Sequence, residues 1–262
     1  VYVGRHAGFG VSGKSHSGCI FIGKDAGLTA YTGDNNIAIG HAAMDDVDAD
    51  TTVGGSVNNV FIGTDSGGGT WVTAASSYNV AVGHNTMQGA LNGALYNAAL
   101  GQNALQSITT ANGNVGLGNS AMSLTTTGES NVAIGAYDGT TNAAMRGNVS
   151  ADQCVAIGTG AMSGVSTQDG TVAVGYKALT ALTSGAQNTA LGYSALAGLL
   201  TGTGNTAVGY QAADALGNAE QYNTSIGFGS MGAFDEGTGG SDINDNVALG
   251  YDALRGADLQ SV

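Results

Sequence analysis

Short apolar triplets recur along this chain, each with two aliphatic residues flanking a small one and each closed by a glycine. Val132-Ala133-Ile134-Gly135, Val155-Ala156-Ile157-Gly158, Val172-Ala173-Val174-Gly175 and Val247-Ala248-Leu249-Gly250 are examples. Alternation at every second residue over so short a run predicts a β-strand with its alternating apolar face turned inward. The glycine then predicts a corner, where a positive φ or a close backbone approach excludes a Cβ. Three residues past it most blocks carry alanine (Ala43, Ala104, Ala178, Ala195, Ala212), often followed by Met or Leu. That pattern predicts a second inward strand, since Gly, Thr and Ser return too soon for a stable helix.

Aligned on their corner glycines, the blocks fall at 4, 23, 40, 63, 83, 101, 118, 135, 158, 175, 192, 209, 227 and 250, fourteen units in all. Six of the intervals equal 17 residues and none is shorter, so 17 is the base period and the longer intervals are insertions. A fixed period of this size is the mark of a solenoid, whose units are too small to bury a core alone and must stack. The expected fold is all-β, a single repetitive parallel β-solenoid over residues 1–262 with about fourteen coils. Its longer loops should lie at 41–59, 136–154 and 228–246.

Four residues before the glycine stands Asn in ten units: Asn36, Asn59, Asn79, Asn97, Asn114, Asn131, Asn188, Asn205, Asn223 and Asn246. Identical amides superposed at about 4.8 Å can hydrogen-bond from coil to coil, so this column predicts a structural ladder. Cys19 and Cys154 occupy the same column, seven coils apart, or roughly 34 Å at that spacing, too far to pair with each other. The position just after the glycine carries Tyr176, Tyr193, Tyr210, Phe228 and Tyr251, and earlier His41 and His84. It reads as a variable or subunit-facing surface column, or as an aromatic ladder able to receive sugar rings. No second ligand stands at metal-binding spacing from either histidine, so no metal is expected there.

Composition narrows the function. Forty-six glycines and 6% aromatics describe a thin core of small side chains. Nineteen acidic residues against six Lys and Arg give a net charge of −13, too few cations for a run of phosphates, so nucleic acid is not an expected partner. No stretch approaches eighteen consecutive apolar residues, and no membrane span is expected. Asp45, Asp46, Asp48 and Asp50 crowd one insertion, and Asp235, Glu236, Asp242 and Asp245 another. Neither follows an EF-hand or calcium-nonapeptide pattern, and both read as solvated loops.

Fragments that imitate catalytic motifs dissolve in the repeat register. Thr64-Asp65-Ser66-Gly67-Gly68 looks like a serine-protease string, yet Ser66 occupies the alanine column. Gly227 to Gly232 spells G-x-G-x-x-G without room for the helix a dinucleotide site needs. Val174 to Leu179 fits the hexapeptide of left-handed β-helix acyltransferases, which use it about three times per coil, whereas here it occurs once per seventeen residues. No enzyme and no cofactor is expected, a trimeric acyltransferase dependent on His41 or His84 being the remaining enzymatic alternative.

The units Asn188 to Ala195 and Asn205 to Ala212 resemble repeats of bacteriophage tail-fibre proteins, including those with an endosialidase-type chaperone. Asn131-Val132-Ala133-Ile134-Gly135 is similar to the head repeats of trimeric autotransporter adhesins, although their repeat is shorter than 17 residues. The resemblance implies a homotrimeric left-handed β-roll in a fibre that attaches to a host-surface glycan or protein receptor. It places the protein in a virion tail fibre, or alternatively on a bacterial surface. A thin coil gains little from its few small apolar side chains, which independently favours burying a further face against sister chains. Neither end carries a recognisable polar cap, so the stretch is expected to be a piece of a longer fibre joined to other segments.

Overall fold

The computed structural model describes residues 1–9, 17–29, 33–45, 55–71, 74–164, 167, 169–232 and 243–256. Among them the protein is all-β, with no helix, and is a parallel β-solenoid. It divides into two units, Val1–Ser130 and Asn131–Val262. The first holds β1 (Tyr2–Val3), β2 (Ile20–Ile22), β3 (Ile37–Ile39), β4 (Val60–Ile62), β5 (Val80–Val82), β6 (Ala98–Leu100) and β7 (Val115–Leu117). The second holds β8 (Val132–Ile134), β9 (Val155–Ile157), β10 (Val172–Val174), β11 (Thr189–Leu191), β12 (Thr206–Val208), β13 (Thr224–Ile226) and β14 (Val247–Leu249).

Within each unit every strand pairs in parallel with the next, and the register keeps equivalent repeat positions opposite one another. Ile39 faces Ile62, Val82 faces Leu100, and Ala173 faces Ala190. The glycine that ends each strand makes the corner. At Gly83, φ is +142° and an added Cβ would lie 2.7 Å from the carbonyl oxygen of Gly101 one coil on, so any larger residue would push the coils apart.

Two expectations are corrected. The strand face that turns inward is that of the small middle residue, not of the aliphatic pair. Ala38, Ala81, Ala99, Ala133, Ala173 and Ala190 are buried, while residues on either side of them, such as Leu100, Ile134 and Leu191, reach solvent. Coils this thin leave room inside for one side chain per strand, so the two flanking residues are displaced to the outside. The second inward strand does not form either. Past Gly175 the chain turns, with Lys177 at φ 55° and Leu179 at φ 52°, left-handed values that no strand adopts. The Lys177 N–H donates back to Thr159 (3.0 Å) and that of Leu179 forward to Ala195 (3.0 Å). Coil-to-coil hydrogen bonding therefore continues without extended backbone.

The core is a set of complementary pairs. Ala38, Ala81 and Ala99 on the strands are matched across the corner by Met44, Met87 and Leu105 on the turns, all buried. Where the strand residue is Phe21 or Phe61, the turn residue is Gly27 or Gly67, and an added Cβ would fall 2.9 Å or 2.6 Å from the ring. Large plus small conserves volume whichever element supplies the bulk.

Candidate functional site

The asparagine column forms hydrogen-bonded ladders inside each unit. Nδ2 of Asn59 donates to Oδ1 of Asn36 (3.1 Å), Asn79 to Asn59 (3.2 Å), Asn97 to Asn79 (3.0 Å) and Asn114 to Asn97 (3.2 Å). In the second unit Asn205 donates to Asn188, Asn223 to Asn205 and Asn246 to Asn223, each at 3.1 Å. Each accepting Oδ1 also takes the backbone N–H of the following Asn, and the second amide proton goes to a loop carbonyl, as from Asn97 to Ala111 (2.9 Å). A buried primary amide is thereby satisfied at both donors and both lone pairs. Asn131 donates to Ala151 O and accepts from the backbone N–H of Cys154 (2.9 Å). The column is then interrupted by Cys154 and Thr171, and the Thr171 hydroxyl oxygen is buried with no hydrogen-bond partner. Cys19 and Cys154 are buried thiols in no disulfide, and burial raises the pKa of both. Such thiols are poor nucleophiles.

The aromatic column lies in the second unit as one continuous stack. Ring centroids are 5.2 Å apart for Tyr176 and Tyr193, 5.0 Å for Tyr193 and Tyr210, 4.9 Å for Tyr210 and Phe228, and 5.5 Å for Phe228 and Tyr251. Interplanar angles stay between 10° and 19°. Tyr193, Tyr210 and Phe228 thus turn both faces to neighbouring rings and present edges to solvent, so their faces are closed to sugar stacking. The first ring is tied down, because the Tyr176 hydroxyl meets Thr141 Oγ1 at 3.0 Å and Lys177 Nζ stands 5.2 Å from its centroid. Thr141 belongs to the inserted loop after β8, where the Asp138 carboxylate accepts the N–H groups of Thr141 (2.6 Å) and Thr140 (2.9 Å). Those two donors hold the Asp138 pKa below its ordinary value.

In the first unit the same column is polar, with His41, Thr64, His84, Gln102 and Asn119 in successive coils. Among the described residues no group of three His, Cys, Asp or Glu side chains could hold a metal ion. Of the acidic insertions, Asp45 and Asp245 are described, whereas Asp46, Asp48, Asp50, Asp235, Glu236 and Asp242 lie outside the described residues. Ser66 is fully buried and its hydroxyl bonds to Thr86 Oγ1 (2.8 Å), so it is a core residue. Among the described residues no helix is long and apolar enough to cross a membrane.

What the sequence reading missed is the outward side of the sheet. The last strand position is aliphatic in all fourteen coils, from Val3, Ile22 and Ile39 to Val208, Ile226 and Leu249, and not one of these residues is buried. Leu100 is 53% exposed and Leu191 47%. The unbroken column was visible in the sequence, but its direction depends on which strand face the thin core can admit.

The fold and these columns define a parallel β-solenoid whose outer sheet face is aliphatic in each unit. No family model, curated protein or solved structure matches the chain.

Proposed function

We propose that this protein is a structural and adhesive fibre segment of a bacteriophage tail fibre that works as a homotrimer and contributes to attachment at a host cell surface. The observation that carries the reading is the outward aliphatic column. Val, Ile and Leu at every coil, with Leu100 and Leu191 half exposed, form a contiguous apolar strip in each unit. A strip of this kind on an isolated soluble chain is a liability, and packing it against identical strips of sister chains removes it. Coils that repeat one register suit reach, and their inserted loops, 136–154 among them, supply variable contact surface.

The Asn131 to Gly135 unit favours a second reading, the head of a trimeric bacterial surface adhesin, with the same assembly in a different place. Antibody against the purified chain, used for gold labelling in electron microscopy, separates the two. Labelled virion tails support the tail-fibre reading and labelled bacterial envelopes the adhesin. Purified protein that neither decorates host cells nor competes with virion adsorption would remove attachment altogether.

A further inference from the structure

The corner before the asparagine column holds residues in the left-handed region: Asn35 and Asn58 at φ 60°, Ser130 at 58°, and glycine at Gly113 and Gly204. These are residues that tolerate such a backbone. Gln153 (φ 57°), Gln187 (φ 62°) and three tyrosines, Tyr78 (φ 61°), Tyr96 (φ 60°) and Tyr222 (φ 56°), break the rule, and bulky side chains held there are strained without any core to fill. Tyr96 is 62% exposed and Tyr78 47%. Their rings stack at 5.0 Å and 12°.

Side chains in this column lean toward the preceding coil. A Cβ on Gly204 would fall 2.8 Å from the ring of Tyr222 in the next coil, showing that ring lying over the glycine. By the same lean Tyr96 covers Tyr78, and its opposite face looks toward Gly113, where no side chain stands. The nearest atoms a Cβ at Gly113 would meet belong to Ser130, the first of them Oγ at 3.6 Å. Next to this notch, Asn112 Nδ2 donates to Glu129 Oε1 (3.0 Å).

We infer that the face of Tyr96 above Gly113 is a binding platform for one neutral hexopyranose of a surface glycan, with Asn112, Glu129 and Ser130 offering hydrogen bonds to its hydroxyls. An aromatic face bordered by a few polar groups suits a ring with one apolar face and a polar rim. Charge selects the neutral sugar. The chain carries −13, Glu129 borders the notch, and Arg5 and Lys24 stand in the first two coils while Tyr96 is in the sixth. An anionic sugar would meet repulsion without a counter-ion. The inference rests on the attachment reading for its biological meaning.

The test is saturation-transfer difference NMR on the native assembly with methyl β-D-galactopyranoside and methyl N-acetyl-β-D-glucosaminide as probes and sialyllactose as the anionic comparison. Transfer to the ring protons of a neutral probe is expected, with at least tenfold weaker binding in Tyr96→Asn and in Gly113→Tyr. The first variant removes the platform and the second covers it with a third ring. Asn is native to this column, so Tyr96→Asn should unfold at a higher temperature than the parent, which a structural role for the ring would reverse. No transfer to either neutral probe, equal transfer to sialyllactose, or binding that survives both variants overturns the inference. Because no cells are present, sugar binding by an assembly that does not adhere supports the platform while removing the attachment reading.

Discussion

The backbone N–H of Asn97 and its side-chain amide both donate to Oδ1 of Asn79, each at 3.0 Å. One oxygen thereby closes both the main-chain and the side-chain link between two coils. Asn97→Ala would leave Asn114 without the oxygen that takes its N–H (3.0 Å) and its Nδ2 (3.2 Å), and would strand the carbonyl of Ala111. Several buried groups left unpaired should cost about 3 to 5 kcal/mol. Chemical denaturation of the variant against the parent measures it, and a loss below about 1 kcal/mol would show that water replaces the ladder.

The second unit carries a natural defect in the same column. Cys154 and Thr171 interrupt it, Thr171 Oγ1 has no partner, and Asn188 turns its amide to Gly185 O (3.2 Å) as well as to Gly202 O (2.7 Å). Cys154→Asn with Thr171→Asn should complete the ladder and stabilise by about 1 to 3 kcal/mol, with the pair exceeding the sum of the single changes. Additive or destabilising changes would count against it.

The complementary core predicts compensation. Phe61→Ala alone should cost about 3 to 5 kcal/mol, and Gly67→Met alone should clash with the ring. Together they recreate the pair seen at Ala38 and Met44, and Met44 already holds φ at 52° in that column. The double variant should recover most of the loss. A double-mutant cycle with no coupling would contradict the packing.

Asp138 gives the pH dependence. Donation from Thr141 and Thr140 lowers its folded pKa, so its contribution is complete above the ordinary value of 3.8 and is lost as pH falls through the lower folded value. Amide exchange at Thr140 and Thr141 should therefore accelerate selectively on acidification within that window. Asp138→Ala should show fast exchange at every pH, and slow exchange in that variant would assign the turn to other contacts.

Much of this was legible in the sequence because identical columns must superpose in a stack. The glycine spacing gave the coils, and Asn59, Asn79 and Asn97 gave the ladder. The direction of the strand faces was not legible, because Val-Ala-Ile alternates equally well either way until the width of the core is known. The turn after the corner was hidden for a different reason. Met44 and Leu179 are poor candidates for left-handed backbone, and inter-coil hydrogen bonding together with burial of their side chains holds them there. The exchange of bulk between Phe61 and Gly67 is written in the sequence as two columns on either side of the corner glycine, but only their contact gives it meaning. The aromatic column was found, but that its rings occupy one another's faces needed coordinates.

We propose that the outward aliphatic column is buried between copies of the chain. Mass of the native protein by light scattering or sedimentation tests it most directly. Three times the 25.6 kDa chain is expected, falling to the single-chain mass in a Leu100→Glu, Leu191→Glu variant. A parent that remains a folded monomer at all concentrations would contradict the account.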